Sequence, residues 1–212
     1  MAERGRLDGM SEMIELPDYF ALFGLPRHLH VDLAALEKAF YAQSRKLHPD
    51  RFAAKAAAEQ AAALAASSQL NDAYRTLREP IARTEYLLGL EGIAMEEQSR
   101  AASDVAKASG TAKKQVAPPD LLEEAFELNM QLEEMKMDPD PGVRAELEAA
   151  AAKFTAMLAE TQVQLEGLWK KWDAAVDADD STGKDAAKTA MVALLNRRSY
   201  VRNLVRDVRA AL

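Results

Sequence analysis

His48-Pro49-Asp50 sets an imidazole and a carboxylate in one turn, which by itself reads as an ordinary interhelical turn beside a solvated basic face and, as chemistry, offers at most a general base. Pro49 disfavours helical backbone at His48, so the chain turns there and holds an imidazole and a carboxylate on either side of a rigid ring. Basic side chains surround it: Lys38, Arg45, Lys46, Arg51 and Lys55 fall within residues 38–55, with Asp50 the single acid. A general-base role for His48 would need a Ser or Cys nucleophile or a paired acid beside it, and the surrounding sequence suggests neither. His28 and His30 are a second pair to weigh, as metal ligands two residues apart after Pro26. No third ligand accompanies them, and they read as a surface turn with no metal. The chain has no cysteine, which excludes a disulfide framework, a thiol nucleophile and any thiolate-bound metal centre carried by the chain itself.

A different chemistry lies in LLEEAFELNMQLEEMKM, residues 121–137. Leu121, Ala125, Leu128, Leu132 and Met135 are spaced 4, 3, 4, 3 and cluster within about 40° on a helical wheel, a stripe sufficient to bury one face. Leu122, Phe126, Met130 and Met137 form a second apolar ridge at about 100–180° from it, flanked by Glu123, Glu127 and Glu134. Such a ridge is either covered by another part of the molecule or left open as an apolar patch rimmed by carboxylates, the composition of a protein-binding surface.

The elements that must position these residues are helices throughout. Apolar residues recur at helical spacing, sustained period-two alternation is missing, and the fold is expected to be all-α. Pro17, Gly24, Pro26, Pro49 and Pro80 divide the first ninety residues into short and medium helices. Around 33–47, Leu33, Leu36, Phe40 and Leu47 form the predicted buried stripe, and Lys38, Tyr41 and Arg45 the opposite face. An Ala-rich return helix runs to about Leu77, with Leu64, Leu70, Tyr74 and Leu77 as predicted core and Pro80 closing it. Residues 99–120 are small and polar, the signature of a linker ending at the helix-start signal Pro118-Pro119-Asp120. Helices follow at about 120–137, 142–176 and 184–211. The organisation is thus a leader (1–17), an N-terminal module (18–92), a linker (93–119) and a C-terminal three-helix bundle (120–212).

Charge adds constraints. Of 212 residues, 27 are Lys or Arg and 34 Asp or Glu, a net charge of −7, which argues against a whole-molecule nucleic-acid binder. Segment 120–148 is strongly acidic, and the last helix carries Arg197, Arg198, Arg202, Arg206 and Arg209 against Asp207. This contrast predicts that the last helix returns antiparallel beside the first bundle helix, an effect on orientation more than on stability. No apolar run reaches the roughly 18 residues of a membrane span. The first eighteen residues have neither the apolar core of a secretory signal nor the acid-poor composition of a transit peptide, so an intracellular protein is expected.

A basic helix, an HPD turn and an antiparallel return helix together resemble the J-domain, the stimulator of Hsp70-type ATPases. YFALFGLP (19–26) is similar to its opening helix and turn, and SQLNDAYRTL (68–77) to its third helix. With HPDRF (48–52), NDAYRTLREPIARTEYLLGLEG (71–92) and LLEEAFELNMQLEEM (121–135), most of the chain resembles HscB-type proteins, J-domain co-chaperones of iron–sulfur cluster biogenesis. The resemblance implies that His48, Pro49 and Asp50 contact an HscA-type Hsp70, with Lys38, Arg45, Lys46 and Arg51 about them. It implies that Leu122, Phe126, Glu127 and Met130, with Tyr200 on the last helix, hold an IscU-type scaffold protein. A non-enzymatic adaptor with no cofactor of its own follows, in a bacterial cytoplasm, with neither nucleic acid nor membrane as partner. The alternative is a general J-domain co-chaperone whose bundle binds another client. Segment 99–117 reads as an insertion relative to shorter members, and the N-terminal cysteine pair of some mitochondrial relatives is missing.

Overall fold

The computed structural model describes residues 18–93 and 118–212; the leader and the 99–117 insertion lie outside the described residues. Among the described residues there are seven α-helices and no strand. Asp18 caps α1 (Tyr19–Leu22) by accepting from the Phe20 and Ala21 N–H groups. Gly24, at φ +66°, then reverses the chain in a conformation that side chains disfavour. Asp32 caps α2 (Leu33–Lys46) in the same way, through the Ala34 and Ala35 N–H groups. A single 3-10 turn, Pro49–Arg51, leads towards α3 (Ala57–Arg78). Pro80 does more than end that helix: it occupies the first turn of α4 (Pro80–Leu90), where its missing N–H costs nothing.

Stacking of Phe40 on Tyr74, with ring centroids 4.3 Å apart, sets the register of α2 against α3. It also explains two departures from the predicted core. Leu36, Leu70 and Leu77 are buried, but Leu33 and Leu64 are exposed. Counting antiparallel from the stacked pair, Leu33 lies opposite the chain beyond the end of α3, and Leu64 lies beyond the end of α2. Periodicity points both leucines towards a partner helix that does not extend so far. Phe40, Leu47 and Tyr74 are half-buried against the core.

The bundle is α5 (Leu122–Met137), α6 (Pro141–Asp177) and α7 (Ser181–Ala211). At 1.5 Å per residue these are about 24, 55 and 46 Å long, so the α6–α7 hairpin greatly overhangs α5. Burial divides along it. Val143, Leu147 and Phe154 of α6 pack with Leu121, Leu128, Leu132 and Met135, and with Val201, Leu204, Val205 and Val208 of α7. Beyond Thr161, the overhang contributes Leu165, Trp169, Trp172, Ala187, Met191 and Leu195 to one core with Phe20, Leu29, Leu36, Leu87 and Leu88. The N-terminal module fills the space that α5 is too short to cover.

One orientation differs from the charge-based expectation. Arg197 pairs with Asp120, just ahead of α5, at 3.0 Å. Arg144, near the start of α6 and so beside the end of α5, donates to the Leu212 carbonyl at 2.8 Å. Helix α7 therefore runs parallel to α5. Two successive reversals return the chain to its original direction, and connectivity outweighs the small free energy of exposed charge pairs.

Candidate interaction surfaces

Helix α2 ends two residues before His48, with Arg45 and Lys46 in its last turn complementing the negative end of the helix dipole. The turn that follows is closed by the Arg51 N–H, which donates to the His48 carbonyl at 3.0 Å, with longer contacts around it. The Asp50 N–H lies 3.4 Å from His48 Nδ1, and Arg51 Nη1 reaches the Arg45 carbonyl at 3.4 Å. The His48 and Asp50 side chains are 58% and 87% exposed. Lys38, Arg45, Lys46 and Arg51 are also exposed, and Tyr41 stands among them on the outer face of α2. Of the predicted site residues, His48, Asp50, Arg45, Lys46 and Arg51 thus gather at one hairpin tip, where imidazole, carboxylate and cations face solvent, and Lys38 stands about two turns back along α2. Pro49 lies in the backbone of the 3-10 turn.

On α5 the two stripes separate. The inner one, Leu121, Ala125, Leu128, Leu132 and Met135, is buried. Leu122, Phe126 and Met130 are 55%, 67% and 59% exposed, and Met137 continues the ridge. Glu123 and Glu127 are exposed beside it. Two contacts to α6 hold the helix by its flank and keep the ridge outward: Glu124 with Lys153 at 3.1 Å, and Gln131 with Glu146 at 2.8 Å. The Lys153 ammonium bond holds the Glu124 carboxyl below its ordinary pKa. Tyr200 sits differently. It is half-buried against the bundle core, and burial raises its phenol pKa. Leu122, Phe126, Glu127 and Met130 share one outward surface, whereas Tyr200 lies on α7 about one turn beyond the Arg197–Asp120 pair.

Sequence reasoning missed a third group, the seam between the two modules. Residues 28–30 are more than a surface turn. Leu29 is fully buried, Asp173 accepts from the Leu29 and His30 N–H groups at 2.6 and 3.0 Å, and His30 Nδ1 meets the same carboxylate at 2.8 Å. His28 Nε2 lies 3.0 Å from Asp177. Trp172 Nε1 donates to the Arg27 carbonyl, Trp169 Nε1 to Thr84 Oγ1, and buried Arg83 lies over the Trp169 ring. The pair Trp169 and Trp172, three apart on one helix, was the signal available for this seam. Among the described residues no group of three or more metal-ligating side chains occurs. No helix among them is long and apolar enough to cross a membrane.

A capped helical hairpin with an HPD tip, set on a three-helix bundle, defines the class: a J-domain co-chaperone. No protein-family model matches the sequence. Curated relatives do. A co-chaperone protein HscB homolog of Vibrio cholerae serotype O1 (strain O395) is 36% identical over 162 residues, which span 76% of this chain and 85% of the relative. The homolog of strain M66-2 is 35% identical over the same length. Among solved structures, chaperone HscB from Vibrio cholerae matches with TM-score 0.55 and 29% identity, over 91% of this chain and 95% of that one. Human co-chaperone protein HscB shares the fold at TM-score 0.50 and 24% identity, over 92% and 81%. The chain belongs to the HscB co-chaperone family.

Proposed function

We propose that this protein is an iron–sulfur cluster co-chaperone that binds an IscU-type scaffold with its bundle and an HscA-type Hsp70 with its J-domain. The reading assigns the J-domain to residues 18–92, a linker to 93–119 and scaffold capture to 120–212, in a bacterial cytoplasm. Leu122, Phe126, Glu127 and Met130 hold the scaffold, with Tyr200 at the margin. His48, Pro49 and Asp50 engage the Hsp70, and Lys38, Arg45, Lys46 and Arg51 steer it. The observation carrying the proposal is that the ridge of α5 is open to solvent while its opposite stripe is fully packed. A folded chain tolerates such a patch where a partner covers it.

Chemically, the two surfaces suit different tasks. The ridge offers desolvatable apolar anchors, with methionine adaptable in shape and glutamates orienting a basic rim on the scaffold. The HPD tip offers charges that enter a polar interface, and its cationic helix speeds encounter with an acidic Hsp70 surface. ATP is hydrolysed on the Hsp70, and the co-chaperone raises that rate while delivering the scaffold. The test is a binding titration of the IscU-type scaffold against wild-type and Phe126→Ala protein. A weakening of at least about tenfold, an energy of about 1.4 kcal/mol, supports the assignment. Unchanged affinity overturns it and turns attention to another client.

A further inference from the structure

The two proposed grips lie on different modules, and the Asp173 carboxylate stands where those modules meet. We propose that Asp173 is a positioning residue: by latching the turn at 28–30, it fixes the HPD tip relative to the α5 ridge. This rests on the function proposed above and adds how the two grips are held in register.

Asp173 takes three bonds from one turn, to the Leu29 N–H, the His30 N–H and His30 Nδ1. Its side chain is 14% exposed, so removing it leaves two backbone donors poorly served at the edge of a dry core. The same carboxylate acts on Arg83. Burial lowers the pKa of this guanidinium and the charge of Asp173 opposes that shift, so the loss of Asp173 also weakens the counter-charge of a buried cation. Around the latch, Leu29 is inserted into the shared core and Trp172 Nε1 bonds the Arg27 carbonyl. The contact combines apolar insertion with directional bonds, which fix rotation as well as distance.

The lever explains why this matters. Helix α2 starts at Leu33, three residues past the latch, and runs 14 residues to the HPD turn. That arm is about 21 Å long, so a tilt of about 10° at its base moves the tip by about 4 Å. On the other side, α6 is continuous from Pro141 to Asp177, and its first half carries α5 through Phe154, Leu147 and the Lys153–Glu124 pair. One unbroken helix thus joins the latch to the element bearing the ridge. Two grips on a stiff body raise the effective concentration of one partner at the other, and loosening the body reduces that gain without changing either contact.

The chain has no cysteine, so Lys55→Cys and Lys136→Cys in the full-length protein place two spin labels, one near the HPD turn and one on α5. Electron–electron distance measurement is expected to give one narrow distribution for the otherwise wild-type chain and a broad or shifted one after Asp173→Ala. An exposed control, Glu166→Ala on the same helix, leaves it narrow. Asp173→Ala is then expected to bind the IscU-type scaffold, and to stimulate the Hsp70 alone, within about twofold of wild type, while joint stimulation by scaffold and co-chaperone falls at least about tenfold. An unchanged distribution overturns the latch, and a broadened one with intact joint stimulation overturns the positioning role. If Asp173→Ala does not fold, Asp173→Asn, which keeps the shape and one acceptor oxygen, carries the same comparison. Failure of the wild-type protein to bind scaffold or Hsp70 would count against the proposed function, and the distance distributions would still decide the latch.

Discussion

The HPD turn and the α5 ridge are both exposed, but they are presented in opposite ways. The turn is closed by one backbone hydrogen bond, from the Arg51 N–H to the His48 carbonyl at 3.0 Å, and its side chains add two longer contacts of 3.4 Å with the backbone. The ridge stands on a helix whose other face is packed by Leu121, Ala125, Leu128, Leu132 and Met135. A polar contact surface retains its charges in water until a partner arrives, so its local support can be slight. An apolar surface must be kept from collapsing inward, which requires a separate stripe to satisfy the core. Under the proposed function, the second apolar face of α5 is therefore the mark that burial leaves of a binding surface, whereas the polar turn carries no such mark.

Substitutions sharpen this contrast, beginning with the largest effect. His48→Gln is expected to abolish Hsp70 stimulation while leaving thermal stability and scaffold affinity unchanged, because the imidazole has only exposed contacts. A variant that stimulates normally would remove the turn from the mechanism; steady-state ATP hydrolysis decides. Leu122→Ala with Phe126→Ala should cost about 2 kcal/mol or more of scaffold binding with no loss of folding stability. Leu128→Ala, on the inner face of the same helix, should instead destabilise the fold by about 2–5 kcal/mol in denaturant titration. If both changes unfold the protein alike, the two stripes are one core and the comparison fails. Lys38→Ala with Arg45→Ala should slow association with the Hsp70 by roughly threefold to tenfold at low salt, a difference that shrinks as salt screens it. Met137→Ala, at the last residue of α5, should change scaffold affinity by less than about twofold.

Much of the molecule was legible from residue spacing. The 4, 3, 4, 3 run on α5 marked its buried face, Pro49 and Pro80 marked real breaks, and Pro118-Pro119 opens the turn that leads into α5. Spacing gives the direction of a side chain but not the length of its partner, hence the exposed Leu33 and Leu64. Net charge described α5 and α7 correctly as opposites but not their parallel course, which the number of intervening reversals decides. The seam was least legible. Asp173 and Arg83 belong to residue types that ordinarily face water, and only tertiary contacts, of the 28–30 turn with Asp173 and of Trp169 with Arg83, turn them inward.

The most direct test of the account measures steady-state ATP hydrolysis by the partner Hsp70 with this protein and the scaffold added separately and together. One body holding both proteins predicts joint stimulation well above the product of the separate effects, lost in both His48→Gln and Phe126→Ala. Joint stimulation no greater than that product in the wild-type protein would contradict it.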